Sequence, residues 1–302
     1  MRDSARGAIA GLLLATLCWS GNALVARAFA GEIAPFALAF WRWSLALTLL
    51  LPFVVKPLWR HRQQVRAAGW RLLVLAGMGI AGYNSLLYSA AQSTAAINIT
   101  LVNTCLPLMT FIGAGLLLGE WPPRRAWWGM GLAAIGLLVL ISQGSWASLN
   151  ALAFNRGDLI MLLAVADWAL YSLLLRRWAQ YLLPIPALAL LGLLMLLGVP
   201  LILPFYLYEL ARGAHFEPSP NNLAAIGYAA VFASLVAYLA WNHAIRVLGA
   251  AKAALSNYLM PVFTAVLGWL LLGEGLQGYH WLGALLIFAG LLLGTQRAGK
   301  PA

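Results

Sequence analysis

The sequence predicts an all-α integral membrane protein of ten transmembrane helices, arranged as two inverted-topology five-helix repeats. Three observations carry that prediction: composition, an internal duplication and the distribution of Lys and Arg. The 302 residues are 63% hydrophobic and 9% charged, with a mean hydropathy of +0.85. A soluble domain carries roughly 25% charged residues, so this chain cannot wet a globular surface. Apolar runs of about 20 residues recur from end to end, the length that crosses a hydrocarbon core. The short alternating segments of a transmembrane β-barrel are absent. No polar stretch is long enough for a nucleotide-hydrolysing domain. The net charge of +11 does not imply nucleic-acid binding, because cytoplasmic loops of membrane proteins collect basic residues.

Taken in order, the apolar runs fall at about 7–30, 33–55, 71–92, 95–118, 124–142, 157–178, 184–208, 221–246, 252–272 and 278–296. The first run mimics a signal peptide, with Arg2 and Arg6 ahead of it and Ala28-Phe29-Ala30 behind. It is longer than a signal h-region and contains Trp19 and Asn22, so it is read as a spanning helix. With the N-terminus inside, fifteen of the 19 Lys and Arg fall on the cytoplasmic side, among them Arg60, Arg62, Arg66, Arg124, Arg125, Arg176 and Arg177. Both termini are therefore expected in the cytoplasm. Tryptophans 59, 70, 121, 127, 128, 146, 178 and 281 sit near the ends of runs, as interfacial anchors do. The two cysteines, Cys18 and Cys105, lie within apolar runs and are expected as buried free thiols.

The duplication is visible without gaps. Asn103-Thr104-Cys105-Leu106-Pro107, ending in Leu-Leu-Leu-Gly119-Glu120, recurs as Asn257-Tyr258-Leu259-Met260-Pro261, ending in Leu-Leu-Leu-Gly273-Glu274. The same shift of 154 residues, 261 against 107, pairs Trp127 with Trp281 and Gly136 with Gly290. Residues 1–142 form the first repeat, 143–156 an extracytoplasmic linker and 157–302 the second repeat. Five is odd, so the halves enter the membrane in opposite senses. The charges agree: Arg124 and Arg125 follow the first Gly-Glu stop, whereas Tyr279 and His280 follow the second. That pattern marks inverted-repeat transporters.

A proline inside a helix frees the carbonyl four residues earlier. Pro107 and Pro261 thereby loosen the backbone at Asn103 and Asn257, adding an amide side chain at the same depth. The two positions either line a central cavity or are satisfied across a helix contact. Amphipathic aromatics and amides gather on other spans: Trp19 and Asn22, Tyr83, Asn84 and Tyr88, Trp168 and Tyr171, Tyr238 and Asn242, with Tyr258 beside Asn257. They suit a ligand with an apolar body and a few polar atoms, and each can equally serve packing. Arg42, Asp167 and His243 are the ionisable residues within spans, His243 toward the inner end of its span, and such groups are expensive in a bilayer. Asp167 can bind a proton, bind a substrate amino group or pair with Arg42. The Gly119-Glu120 and Gly273-Glu274 ends are expected as helix stops. Gly7/Gly11, Gly115/Gly119 and Gly290/Gly294 have the spacing of close helix contacts. No Walker loop, metal-ligand spacing or nucleophile elbow is present, so no catalytic residue, metal or cofactor is expected.

These features resemble the ten-helix EamA branch of the drug/metabolite transporter superfamily. The resemblance rests on the paired Pro…Leu-Gly-Glu ends at 107–120 and 261–274, and on Trp-x-Gly at 127–129 and 281–283. Phe40-Trp41-Arg42 and Trp19-Ser20-Gly21-Asn22 match as well. Within the branch, the aromatic-rich sequence is similar to YddG-type aromatic amino-acid exporters. The resemblance implies export of aromatic and other mostly apolar amino acids across the inner membrane by alternating access. The partners are then a small-molecule substrate and membrane lipid. The sequence sets no oligomeric state and is compatible with a monomer.

Overall fold

The computed structural model describes residues 2–94, 99, 102–142, 155–272 and 277–295. Every regular element among them is helical. Seven helices are long and apolar enough to cross a membrane alone: Ala5–Ala26, Pro35–Arg60, Trp70–Ala91, Arg156–Arg177, Ala187–Ala211, Pro220–Leu248 and Ala250–Leu267. Two shorter apolar helices, Cys105–Leu118 and Gly278–Gly294, and the helix Arg124–Ser142 complete the set of ten. In chain order they are α1 (Arg2–Ala28), α2 (Pro35–Arg60), α3 (Trp70–Ala91), α4 (Cys105–Leu118) and α5 (Arg124–Ser142) in the first half. The second half holds α6 (Arg156–Arg177), α7 (Ala187–Ala211), α8 (Pro220–Leu248), α9 (from Ala250 to Leu272) and α10 (Gly278–Thr295).

The packing has the symmetry of the duplication. Helix α1 packs on α8, and its counterpart α6 packs on α3. Helix α4 packs on α6, and its counterpart α9 packs on α1. Helices α2 and α7 pack on each other, as do α5 and α10. Each partner set maps onto itself when the halves are exchanged, as two inverted repeats require.

The helices break where the prolines demand it. Asn103 and Thr104 precede α4, which begins at Cys105 and holds Pro107 in its first turn. In α9 the chain tightens to a 3₁₀ turn over Ser256–Leu259 and resumes as α-helix at Met260, just before Pro261. Three further segments widen to π-helix: Gly77–Gly82 in α3, Ala114–Leu118 in α4 and Ala229–Val236 in α8. Helices α3 and α8 are counterparts, so the widening recurs in both halves. Helix α4 closes on Gly119, whose φ of 69° is the left-handed conformation that glycine adopts without strain. The matching Gly273-Glu274 lies outside the described residues, as do Trp146 and all but the last two residues of the 143–156 linker.

Outward faces are apolar and bare. Leu116, Leu163, Leu270, Leu285 and Leu292 are all more than 60% exposed, a surface that lipid tails cover. Trp59, Trp70, Trp121, Trp128 and Trp281 are exposed at helix ends, as interfacial anchors should be. Trp178 instead packs its ring edge-on against Trp70 at 5.2 Å. Both cysteines are free thiols; Cys18 is buried, whereas Cys105 is only half-buried.

Candidate functional site

Between the halves lies a cavity of about 40 Å³ walled by α1, α3, α6, α8 and α9 and the turn before α4. That volume holds a few waters and no aromatic ring, so the site is closed around its centre. Its wall contains Trp19, Asn22, Tyr83, Asn84, Asn103, Trp168, Tyr238 and Asn257. Ala23, Leu87, Ile99, Thr104, Met260, Pro261 and Thr264 complete it. The pairing of Asn103 with Asn257 in the duplication is thus realised as two amides on one cavity.

Trp168 is the centre of an aromatic cage. Trp19 meets it edge-on at 5.5 Å, Tyr238 at 5.1 Å, Tyr83 lies tilted at 5.1 Å, and Tyr171 stacks at 4.9 Å. Trp241 sits 5.2 Å from Trp19 and 5.8 Å from Trp168. Each such pair contributes about 0.5–1.5 kcal/mol beyond its buried area. These rings from α1, α3, α6 and α8 therefore hold one another in place.

The π-helical segments hold this cage by their polar backbone. A wide turn leaves carbonyls without their usual i+4 donors. Trp19 Nε1 donates to the Ala233 carbonyl at 3.1 Å, and Tyr238 OH donates to the Gly79 carbonyl at 2.6 Å. Gly79 also leaves the space into which the Tyr171 ring packs. Tyr171 OH in turn donates to Asn242 Oδ1 at 3.0 Å.

Beside the cavity the polar groups converge on Arg42, which is fully buried. Its Nε donates to Ser234 Oγ at 2.9 Å. Its Nη1 donates to Tyr88 OH at 2.5 Å, Asn84 Oδ1 at 2.9 Å and Asn22 Oδ1 at 3.4 Å. The guanidinium also lies 4.9 Å from the centre of the Trp43 ring.

Of the three roles open to Asp167, pairing with Arg42 is not seen among the described residues. Arg42 faces α1, α3 and α8, whereas the Asp167 carboxylate abuts Gly82 in α3. Its Oδ2 is buried without a partner. Among the described residues the ion pair present is Arg176 with Glu120, at 3.3 Å, joining the ends of α6 and α4. Four other predicted residues stand off the cavity wall. Tyr88 lies behind Asn22, to which it donates at 3.0 Å, and Tyr171 and Asn242 bind each other. Tyr258 belongs to a separate apolar cluster with Phe111, Ala126 and Ile287. It follows Asn257 by one position, which in the 3₁₀ turn over Ser256–Leu259 rotates a side chain by about 120° and so off the cavity. Of the two kink prolines, Pro261 lines the cavity and Pro107 is buried away from it.

Comparison with known proteins places this architecture. The chain is 29% identical over 269 residues to the uncharacterized transporter YyaM of Bacillus subtilis, covering 89% of this chain and 87% of the relative. It is 31% identical over 296 residues to the uncharacterized protein PA1977 of Pseudomonas aeruginosa, covering 96% and 95%. It is 26% identical over 293 residues to the uncharacterized inner membrane transporter YedA of Escherichia coli K12, covering 95% and 90%. A solved crystal structure superimposes with a TM-score of 0.76 at 22% identity, over 95% of this chain and 96% of its own, which establishes the shared fold. The EamA-like transporter family model matches residues 6–142 and 155–295, so the chain belongs to that family, part of the drug/metabolite transporter superfamily.

Proposed function

We propose that this chain is a secondary transporter, not an enzyme, that exports aromatic and other mostly apolar amino acids across the inner membrane. The observation that carries the reading is the cavity between the inverted halves, where an aromatic cage meets a cluster of amides. Rings offer the solute's side chain a surface, and Asn22, Asn103 and Asn257 offer its polar atoms partners. The present cavity is too small for such a solute. Transport therefore requires the bundles to part on one side and then the other, with breaks in the helices before Pro107 and Pro261 as the flexible points. Residues 1–142 and 157–302 are the two moving repeats, joined by an extracytoplasmic linker at 143–156.

The orientation is read from the Lys and Arg bias, and polar contacts that fall into two layers accord with it. One layer joins Glu120 to Arg176 and Arg71 to the Tyr181 ring, and is rich in Lys and Arg. The other joins Glu209 to the Phe36 and Ala37 amides and Thr94 to Asp158. The first is read as cytoplasmic, with both termini on that side. A carrier of another small metabolite or drug is the alternative within the superfamily. A nucleotide-sugar or phosphate-ester carrier would need several deep cations, and Arg42 alone supports that reading weakly. A lipid-modifying enzyme would need clustered acids or histidines near an interface, and no such cluster is found among the described residues.

Counterflow of labelled phenylalanine in proteoliposomes tests the reading. Uptake above empty vesicles is expected. Its absence for phenylalanine and for a panel of other amino acids rejects the substrate class.

A further inference from the structure

Arg42 stands behind the cavity wall and sets the polarity of that wall. Its partners are all neutral: Ser234, Tyr88, Asn84 and Asn22. Its Nη2 is buried without any partner. Among the described residues no carboxylate lies within ion-pair distance of it. A guanidinium donates hydrogen bonds and accepts none. It therefore fixes the amides of Asn22 and Asn84 with their oxygens toward it and their nitrogens turned away. Asn84 Nδ2 is consumed by Tyr238 OH at 2.9 Å. Asn22 Oδ1 is further held by Tyr88 OH at 3.0 Å. Asn22 Nδ2 has no partner among the described residues, and Asn22 lines the cavity.

The wall at Asn22 thus presents a donor backed by an uncompensated positive charge. A buried charge without a counter-ion is costly, and interactions between charges strengthen in a low dielectric. We propose that the cavity selects solutes that carry a carboxylate. The carboxylate accepts from Asn22 Nδ2 and offsets the charge of Arg42, which acts as a positioning residue through that amide. This inference rests on the transport reading but not on the solute being an amino acid. Asp167, with its free Oδ2 against Gly82, is the competing determinant, since it would favour an amine instead.

Three probes of one shape separate these outcomes on the purified full-length chain. Hydrocinnamate has the ring and the carboxylate, phenethylamine the ring and the amine, and phenylalanine has both. Calorimetric titration is expected to show hydrocinnamate binding at least about tenfold tighter than phenethylamine, the scale of one charge-assisted hydrogen bond. Asn22→Asp keeps the side chain's size and sets a fixed carboxylate against Arg42. It is expected to melt at or above the parent's temperature and to reverse the preference toward phenethylamine. A contact that only braced the helices would leave the preference unchanged. The inference is overturned if hydrocinnamate fails to bind the parent, if phenethylamine binds as tightly, or if a folded Asn22→Asp keeps the parental ratio. If hydrocinnamate binds and phenylalanine does not, the inference stands and the amino-acid reading alone is rejected.

Discussion

The central cavity and the seam between α5 and α10 are built from opposite materials. At the seam, Gly129 and Gly136 of α5 face Gly283, Gly290 and Gly294 of α10, and backbone meets backbone with Ala133, Leu140 and Leu286 packed alongside. A Cβ on Gly290 would lie 2.5 Å from the Gly129 carbonyl oxygen, and one on Gly136 would lie 2.7 Å from that of Gly283. Both helices are unbroken α-helix with no internal proline. Of the cavity's walls, α3 and α8 are widened, α9 is tightened and the chain is interrupted before α4, while α1 and α6 run unbroken; the side chains they present are largely rings and amides. Close packing of small residues gains dispersion contacts between helices where lipid gives no hydrophobic drive. The seam therefore holds the halves together by direct helix contact, while at the cavity the halves meet around a void. Counterparts in the duplication meet in both places, so the repeat accounts for both a close-packed contact and a cavity.

The sharpest way to break this contrast is Gly290→Leu. The atoms in its path are the Gly129 carbonyl oxygen and the Ala133 amide, which cannot swing aside. Overpacking of this kind costs about 1–3 kcal/mol or more, and the variant is expected to melt well below the parent. A melting curve that overlays the parent's would mean the seam is looser than its geometry. Next comes Trp168→Ala, which removes the centre of the cage. A buried tryptophan lost to alanine costs about 3–5 kcal/mol where the site is tightly filled, but this one borders a void. A loss toward the low end of that range is expected, and phenylalanine counterflow drops to background. Retained counterflow would remove the cage from solute binding.

Asp167→Asn separates the two regions in another way. The carboxylate has no ion pair to lose and abuts Gly82, so an isosteric amide is expected to leave the melting temperature nearly unchanged. If Asp167 carries a coupling proton, transport by the variant no longer responds to an imposed pH gradient. An unchanged response would exclude it from coupling.

Much of the fold was legible in the sequence because its causes are local. Apolar run length gave the spans, and the Asn…Pro…Leu-Gly-Glu repetition gave the duplication. Among the candidate cavity residues, the amides four positions before each proline and the rings of Trp19, Tyr83, Trp168 and Tyr238 do line the cavity, whereas Tyr88 and Tyr171 stand behind it. What the sequence hides depends on rotation about helix axes. Arg42 and Asp167 share a depth, but charge alone cannot say that one faces α1, α3 and α8 while the other faces Gly82. Tyr258 looks like Asn257's companion and points into the seam-side cluster instead. The π-helical turns are hidden as well, since an extra residue per turn leaves no compositional mark. The glycines at 77, 79 and 82 are the available sign, because Gly79 yields space to Tyr171 and Gly82 to Asp167.

The smallest effect sharpens the contrast from inside the seam. Gly131 lies on α5 two residues beyond Gly129, yet a Cβ there would meet nothing within 4 Å. Its backbone is ordinary α-helix, so alanine fits without strain. Gly131→Ala should stabilise by about 0.4–1 kcal/mol, because glycine leaves the unfolded chain more freedom to lose. Gly129→Ala, two positions away, should destabilise, since its Cβ would sit 2.5 Å from the Gly290 carbonyl oxygen. Opposite signs for one substitution on one helix would show that close approach to α10, and not glycine's effect on helix propensity, is what the seam selects. Equal signs would mean that α5 and α10 slide apart at little cost, and the seam could then no longer serve as the fixed contact between the halves.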